Sequence, residues 1–377
     1  MKIGYIIFMF ILLASCQSSD QHQPENNSTE KSIFEKINYA KGFTIENRAD
    51  CKVITLKDPW KGETTSYKYV LYKNEEPEGY EDAMKIKVPI RSIACMSLTH
   101  IAFIESLNRE NSIVALSGCD YTNSNKIIDR IKNKQIIEIG SEQSINYELL
   151  VERQPDIIMC YGINESSGNY INKFKKLGLI SVLNSEYMET HPLGKAEWIK
   201  FVAAFYDMEE QADSIFNVVE KEYLGLLKLT EKIKDRPTVF TGMPWNGTWY
   251  VPGGRSFQAQ LFKDAGANYL WSDNNEKSSM VKSKEVVIDK AYNADFWLNQ
   301  NSYNSVSSII GFDGRLAGFY AIKQNNLYNN NKRLNQFSGN DYWESGTVKP
   351  QVILKDLIEI FHPEILDHRL YYYKKLE

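Results

Sequence analysis

The chain has 377 residues, more than one small hydrophobic core organises and enough for two domains. Its composition, 43% hydrophobic and 24% charged, is that of an ordinary globular protein, and a formal net charge of −4 gives no general attraction to nucleic acid. Aromatic residues are abundant (23 Tyr, 17 Phe and 7 Trp), enough to fill cores and also to line a site for a large, partly polar ligand.

Residues 1–15 read as a signal peptide. Lys2 precedes an almost unbroken apolar run, and Ala14 and Ser15 stand just before Cys16. The run is short for a bilayer span. Leu13-Ala14-Ser15-Cys16 resembles a lipobox, so Cys16 is the expected lipidation site, holding the protein on a membrane through its acyl chains. Residues 16–32 are polar, cannot pack, and form a lipid-anchored flexible tether.

Residues 33–88 form an N-terminal β extension. The runs FTIEN, CKVITLKDPW and TSYKYVLYK alternate in the manner of a small antiparallel hairpin. Trp60 stands near its tip, placed either to cover a cleft or to pack on the next lobe. Residues 89–193 make a first lobe. Strands are expected at 92–96, 113–116, 136–139, 157–160 and 180–183, with helices at 99–107, 126–131, 147–152 and 169–177. Such alternation implies a mainly parallel sheet covered on both faces, with ligands approaching the carboxyl ends of its strands. Those ends offer Ser97, His100, Tyr121 and Tyr161.

Residues 194–235 are linking helices. The first, at 194–206, carries Trp198, Val202 and Phe205 in register. The second is the centrepiece of the chain. Residues 207–234 read as one helix roughly 40 Å long, with Asp207 as N-cap, Glu210 three residues on, and an apolar face of Ile215, Val219, Tyr223, Leu226 and Ile233. A second lobe, 236–366, repeats the α/β pattern, with strands at 238–242 and 296–299 and helices at 256–265, 283–291 and 350–361. The tail, 367–377, is rich in Tyr and Lys and is expected on the surface. The fold class is therefore α/β: two α/β lobes with mainly parallel sheets joined by one long helix, plus an N-terminal β-hairpin. A stiff crossing allows little lobe closure and leaves a cleft for a ligand.

Several residues are candidates to line that cleft. Trp245 and Trp249 belong to the aromatic loop MPWNGTWY after the first strand of the second lobe. Arg255 follows two glycines at a helix start, and Arg315 follows Asp313 in a turn; either could clamp an anionic group or rest on the surface. Trp343 lies in a loop before the last long helix. The five His and five Cys include no metal-ligand spacing and no C-x-x-C. Capture of a bare metal ion is disfavoured, leaving His100 as the candidate axial ligand. Cys95 and Cys160 read as small hydrophobes in core strands. There is no G-x-S-x-G, G-x-G-x-x-G or Walker loop.

Segments RSIACMSLTHIAFIESL, IIEIGSEQSINYELLVERQPDIIMCYG and FKKLGLISVL, with SFQAQLFKDAGANYLW, SKEVVIDKAYNADFWL and PQVILKDLIEIFHPEIL, resemble the substrate-binding lipoproteins of ABC importers for iron–siderophore complexes and cobalamin. Asn146, Glu148, Leu149, Pro155, Asp156 and Ile157 carry the most specific part. The chain departs from many relatives at Ser97-Leu98, where they have Ser-Pro, and its N-terminal hairpin is additional. The resemblance implies a periplasmic, membrane-anchored monomer that binds a metal chelate and delivers it to an ABC permease dimer. It also implies that Glu148 and Glu285, one in each lobe, dock on permease arginines. No catalysis, cofactor, resident metal or nucleic acid partner is implied. Two other readings remain at this stage: a secreted two-lobed enzyme acting on a small metabolite, and a surface scavenger of haem or cobalamin feeding an outer-membrane receptor.

Overall fold

Short runs rich in Ile, Val and Cys become fully buried parallel strands because both of their faces must be covered. In the computed structural model, which describes residues 33–62, 65–162 and 167–377, the first lobe holds five strands, three of them buried throughout, with the last, Ile137–Glu138, at the exposed edge. Their spatial order is Ser181–Leu183, Ile157–Cys160, Ile93–Cys95, Ile113–Leu116 and Ile137–Glu138, all parallel. The chain starts in the middle, builds to one side, then crosses to the other. This reversal opens a crevice at the carboxyl ends of Ile93–Cys95 and Ile157–Cys160, which Ser97 and Tyr161 flank. The second-lobe sheet runs Asn268–Tyr269, Thr238–Thr241, Phe296–Leu298, Leu327–Asn329 and Lys374–Lys375, parallel except for the last pair. A two-stranded antiparallel ribbon, Thr248–Val251 with Met280–Ser283, stands beside it.

The chain between the sheets is a pair of helices, Pro192–Ala204 and Glu209–Thr230. The first is buried on every side, not amphipathic as the spacing of Trp198 and Val202 implied; Phe205 lies just beyond its end. It packs on helices from both lobes and on the linking helix. The linking helix has 22 residues and is about 33 Å long, shorter at both ends than its pattern implied. Asp207 is not its cap: its backbone is left-handed (φ 57°), and its carboxylate instead accepts from Lys52 at 3.0 Å and Lys73 at 2.6 Å. Met208 occupies the N-cap position without a side-chain capping hydrogen bond. The buried stripe is Ala212, Phe216, Val219, Tyr223, Leu226 and Thr230, so Ile215 sits at its margin and Ile233 beyond it. Apolar packing is continuous from lobe to lobe through these helices.

The N-terminal extension is a five-stranded sheet, larger than the hairpin read from its alternation. Ile33–Phe34, Phe43–Asn47, Cys51–Leu56 and Tyr67–Tyr72 pair antiparallel, and Met84–Lys87 adds in parallel. Two buried carboxylates fasten its approach segment. Glu197 accepts from the backbone N–H groups of Asn38, Tyr39 and Ala40, and Glu189 from those of Lys41 and Gly42. The tail corrects a second expectation. It does not lie along the surface: Tyr372, Tyr373 and Leu376 are buried, and the buried Asp356 carboxylate accepts from the N–H groups of Tyr371, Tyr372 and Tyr373. The signal segment, Cys16 and the tether lie outside the described residues.

Candidate functional site

Two cavities share Trp343 in their walls, one between the lobes and one lined by the second lobe alone. The first, about 430 Å³, draws walls from both lobes. Ser97 and Thr99 come from the start of helix Leu98–Ser106, and Tyr161 from the end of a first-lobe strand. Glu186 and Tyr187 belong to the turn Glu186–Met188, Lys195 to the buried linker helix, and Phe257 and Trp343 to the second lobe. The Ser97 hydroxyl caps its helix by accepting from Thr99 N–H at 3.3 Å and meets the Thr99 hydroxyl at 2.9 Å. Lys195 lies over the Phe257 ring, 5.3 Å from its centroid, and makes no ion pair within 4.0 Å among the described residues. Burial pushes its ammonium below the ordinary lysine value, against the pull of Glu186. Burial pushes the Glu186 carboxyl upward, opposed by Lys195 and the Thr99 hydroxyl.

The second cavity, about 490 Å³, sits at the carboxyl ends of three parallel second-lobe strands. Thr241, Asn299 and Asn330 follow from those ends, with Asn301, Asn304, Asn331 and Asn340 around them. No lining residue of this cavity is charged. Among the described residues no group of three or more His, Cys, Asp or Glu could hold a metal ion.

The cleft, its position at strand ends and its two-helix hinge accompany a sequence match. The family model described as periplasmic binding protein matches residues 93–334. The chain belongs to the periplasmic binding protein family. Members of this family bind solutes rather than transform them. An uncharacterised lipoprotein of Methanocaldococcus jannaschii is 28% identical over 401 residues, covering 98% of this chain and 94% of that protein. Among solved structures, a possible iron-binding periplasmic solute-binding protein of Staphylococcus epidermidis superposes with TM-score 0.56 at 18% identity, covering 72% of this chain and 98% of that one. The periplasmic vitamin B12 binding protein of Vibrio cholerae does so with TM-score 0.51 at 13% identity, covering 72% and 96%. These two likenesses establish the shared fold.

Against this periplasmic binding protein fold, the residues singled out from sequence separate cleanly. Ser97, Tyr161 and Trp343 come together in the cleft. Trp60 does not line it. The ring is buried under Gly162, where even a Cβ would come within 2.2 Å of it, and the Tyr187 hydroxyl bonds the carbonyls of Pro59 and Gly162. Trp60 thus backs the wall that Tyr161 and Tyr187 present. His100 is no axial ligand: it is fully buried, neither ring nitrogen has a hydrogen-bond partner, and burial holds its pKa down to about 3. Trp249 is core, its indole N–H donating to the Thr241 carbonyl at 3.0 Å. Trp245 is exposed on a turn and lines neither cavity. Tyr121 is half exposed, in the first-lobe loop that touches Gly339 of the second lobe.

Both arginines leave the cleft. Among the described residues the Arg255 guanidinium donates to Asn275 Oδ1, at 3.4 Å. Arg315 forks onto Asp313 at 3.0 and 2.7 Å and stands 3.9 Å from Glu285. Glu148 and Glu285 are exposed, each in the first turn of a short helix, capped by Asn146 and Ser283 respectively. Cys95 and Cys160 are buried free thiols, which burial pushes upward in pKa.

Sequence reasoning missed Glu186, Tyr187, Lys195, Phe257 and the asparagine wall. Lys195 and Glu186 look like surface charges in the linear chain. The asparagines carried a signal, since NQNSYN and NNNK are dense in Asn, but such runs also read as loops.

Proposed function

We propose that this protein is the substrate-binding component of an ABC importer, holding a metal chelate between its lobes and delivering it to a permease dimer. The observation that carries this reading is a cleft walled from both lobes, at the strand ends of each, in a member of the periplasmic binding protein family. The cavities suit a bulky ligand better than a bare ion, because the cleft lacks a ligating cluster among the described residues. Glu148 and Glu285 are assigned to docking: two exposed carboxylates, one per lobe, meet two basic sites on a dimeric permease. The lipobox at Cys16, and the lipoprotein name of the methanogen relative, support an anchored protein on the outer face of the inner membrane or at the cell surface.

The test is a tryptophan-fluorescence titration of the chain with cobalamin, haem and ferric siderophores, since Trp343 stands in the cleft. Saturable quenching at micromolar concentration or below by one of them is expected, and a Trp343→Phe variant should lose most of the signal. No response to any of them would remove the chelate-binding reading.

A further inference from the structure

Part of the cleft wall rests on the N-terminal extension. Its strand Cys51–Leu56 ends in a tip that is held in place: the Lys57 N–H donates to the Gly42 carbonyl at 2.7 Å, and Asp58 takes a left-handed backbone (φ 45°). A non-glycine residue keeps that conformation where surrounding contacts over-determine it. Those contacts come next in the chain. Trp60 is 3% exposed, and a Cβ on Gly162 would stand 2.2 and 2.8 Å from its Cε3 and Cζ3 atoms. Only glycine at 162 leaves room for the indole, which therefore presses on the backbone directly after the cavity residue Tyr161. The Tyr187 hydroxyl, on the same wall, lies within hydrogen-bond reach of the Gly162 carbonyl and of the Pro59 carbonyl, the latter at 3.3 Å.

The extension also holds the segment that carries Tyr187. Tyr69, in strand Tyr67–Tyr72, is buried, and its hydroxyl accepts from the Leu183 N–H at 2.9 Å. Leu183 ends the edge strand Ser181–Leu183, and the turn Glu186–Met188 follows. Lys61, next to Trp60, donates to Ser278 Oγ of the second lobe at 3.4 Å, beside Ser279 in the wall of the second cavity. Covering the edge of a sheet would account for Tyr69. It would not account for a ring wedged under Gly162, or for a tip that reaches the second lobe.

We infer that Trp60 is a positioning residue of the binding site: it lines neither cavity, yet it sets where Tyr161 and Tyr187 stand, and through it the N-terminal extension is part of the binding machinery. This rests on the cleft being the ligand site and makes no choice of ligand. A lining side chain locked from behind has less freedom to lose on binding, so removing the lock costs affinity while every lining residue is still present.

The full chain is titrated calorimetrically with cyanocobalamin, haemin, a ferric trihydroxamate and a ferric tricatecholate, and the probe that binds is carried to the variants. Trp60→Ala should raise its Kd by about tenfold, and Trp60→Phe, which keeps a ring under Gly162, by less than about threefold. Val70→Ala is the comparison. Val70 is buried in the same sheet, in a small cluster with Cys51 and Val53 apart from the main core, so its truncation loosens the sheet and leaves the contacts of the tip alone. Its Kd should stay within about twofold of the unaltered protein. A second readout needs no ligand. In protein labelled with 3-fluorotyrosine, the Tyr161 and Tyr187 resonances, assigned through Tyr161→Phe and Tyr187→Phe, should shift in Trp60→Ala and hold their places in Val70→Ala. The resonance of Tyr372, buried in the second lobe, should move in neither. Unmoved Tyr161 and Tyr187 resonances, or a Kd for Trp60→Ala no weaker than that of Val70→Ala, would overturn the inference and leave the chelate reading standing. If no probe binds the unaltered chain, the chelate reading falls, and the fluorine spectrum alone decides the positioning. Should Trp60→Ala fail to fold, Gly162→Ala tests the same contact from its other side, with the same shifts and the same loss of affinity expected.

Discussion

His100 illustrates how much a single environment changes. In the linear chain it stands near a strand end and invites a ligand role; in the fold its imidazole is enclosed by core and has no partner for either nitrogen. Burial disfavours the charged ring, so its folded pKa falls to about 3, below the ordinary value of 6.5. The sign follows from linkage. Between those values the unfolded chain binds a proton that the folded one refuses, so stability drops as pH falls below 6.5 and the loss is complete near 3. From pH 7 to pH 5 this one residue should cost about 2 kcal/mol. A His100→Leu variant should lose that much less stability than the unaltered protein over the same interval, measured by urea denaturation at the two pH values. An equal loss in both would show that the ring is not held neutral.

At the scale of elements, the linking helix Glu209–Thr230 does its work through one buried stripe against the helix Pro192–Ala204 and against Pro350–Phe361. Gly225 lies in its interior with open space around it: a Cβ there meets nothing within 4 Å. Glycine at such a position lets the unfolded chain keep entropy and gives no compensating contact. Gly225→Ala is therefore expected to raise stability by about 0.5–1 kcal/mol, read as a higher urea midpoint with unchanged slope. A fall would mean that the helix needs the glycine for a bend or a partner. The strands of the first lobe were legible from their apolar runs, and Ile113–Leu116 and Ile157–Cys160 fall at the expected bounds. The tail was not. Tyr- and Lys-rich segments look solvated, and only the Asp356 carboxylate, accepting three consecutive backbone N–H groups, shows why this one is drawn into the sheet.

Across the whole molecule the lobes are joined by more than helices. Glu344 of the second lobe is buried and accepts from the Thr122 hydroxyl and the Asn123 N–H of the first, both at 2.7 Å. Asn335 donates to the carbonyls of Asp120 and Thr122 at 2.8 and 2.9 Å, and a Cβ on Gly339 would come within 1.9 Å of the Tyr121 carbonyl oxygen. Two lobes tied by a packed helix pair and by this buried contact should close little around a guest. The radius of gyration from solution scattering should then differ between free and loaded protein by less than about 1 Å. Glu344→Ala leaves one buried and one half-buried donor without their acceptor, at a cost of about 1–3 kcal/mol. Faster amide exchange is expected at 119–124 and 335–346 in that variant. Unchanged exchange there would mean that the contact carries no constraint.

Local pattern alone was sufficient for the alternation of strand and helix, the two-lobed plan and the long crossing, because each is written in short-range periodicity of apolar residues; the family resemblance rested instead on particular segments, above all the run from Asn146 to Ile157. Local pattern also singled out Ser97, Tyr161 and Trp343, which stand at the ends of readable elements. Whether a given charge or aromatic ring ends up in the cleft was decided by tertiary packing. Lys195 and Glu186 enter it only because a helix buried on all sides and a short turn are pressed between the lobes, while Arg255 and Arg315 find partners elsewhere. A side chain's desolvation and its pairing are sums over neighbours distant in the chain, and no local pattern contains them.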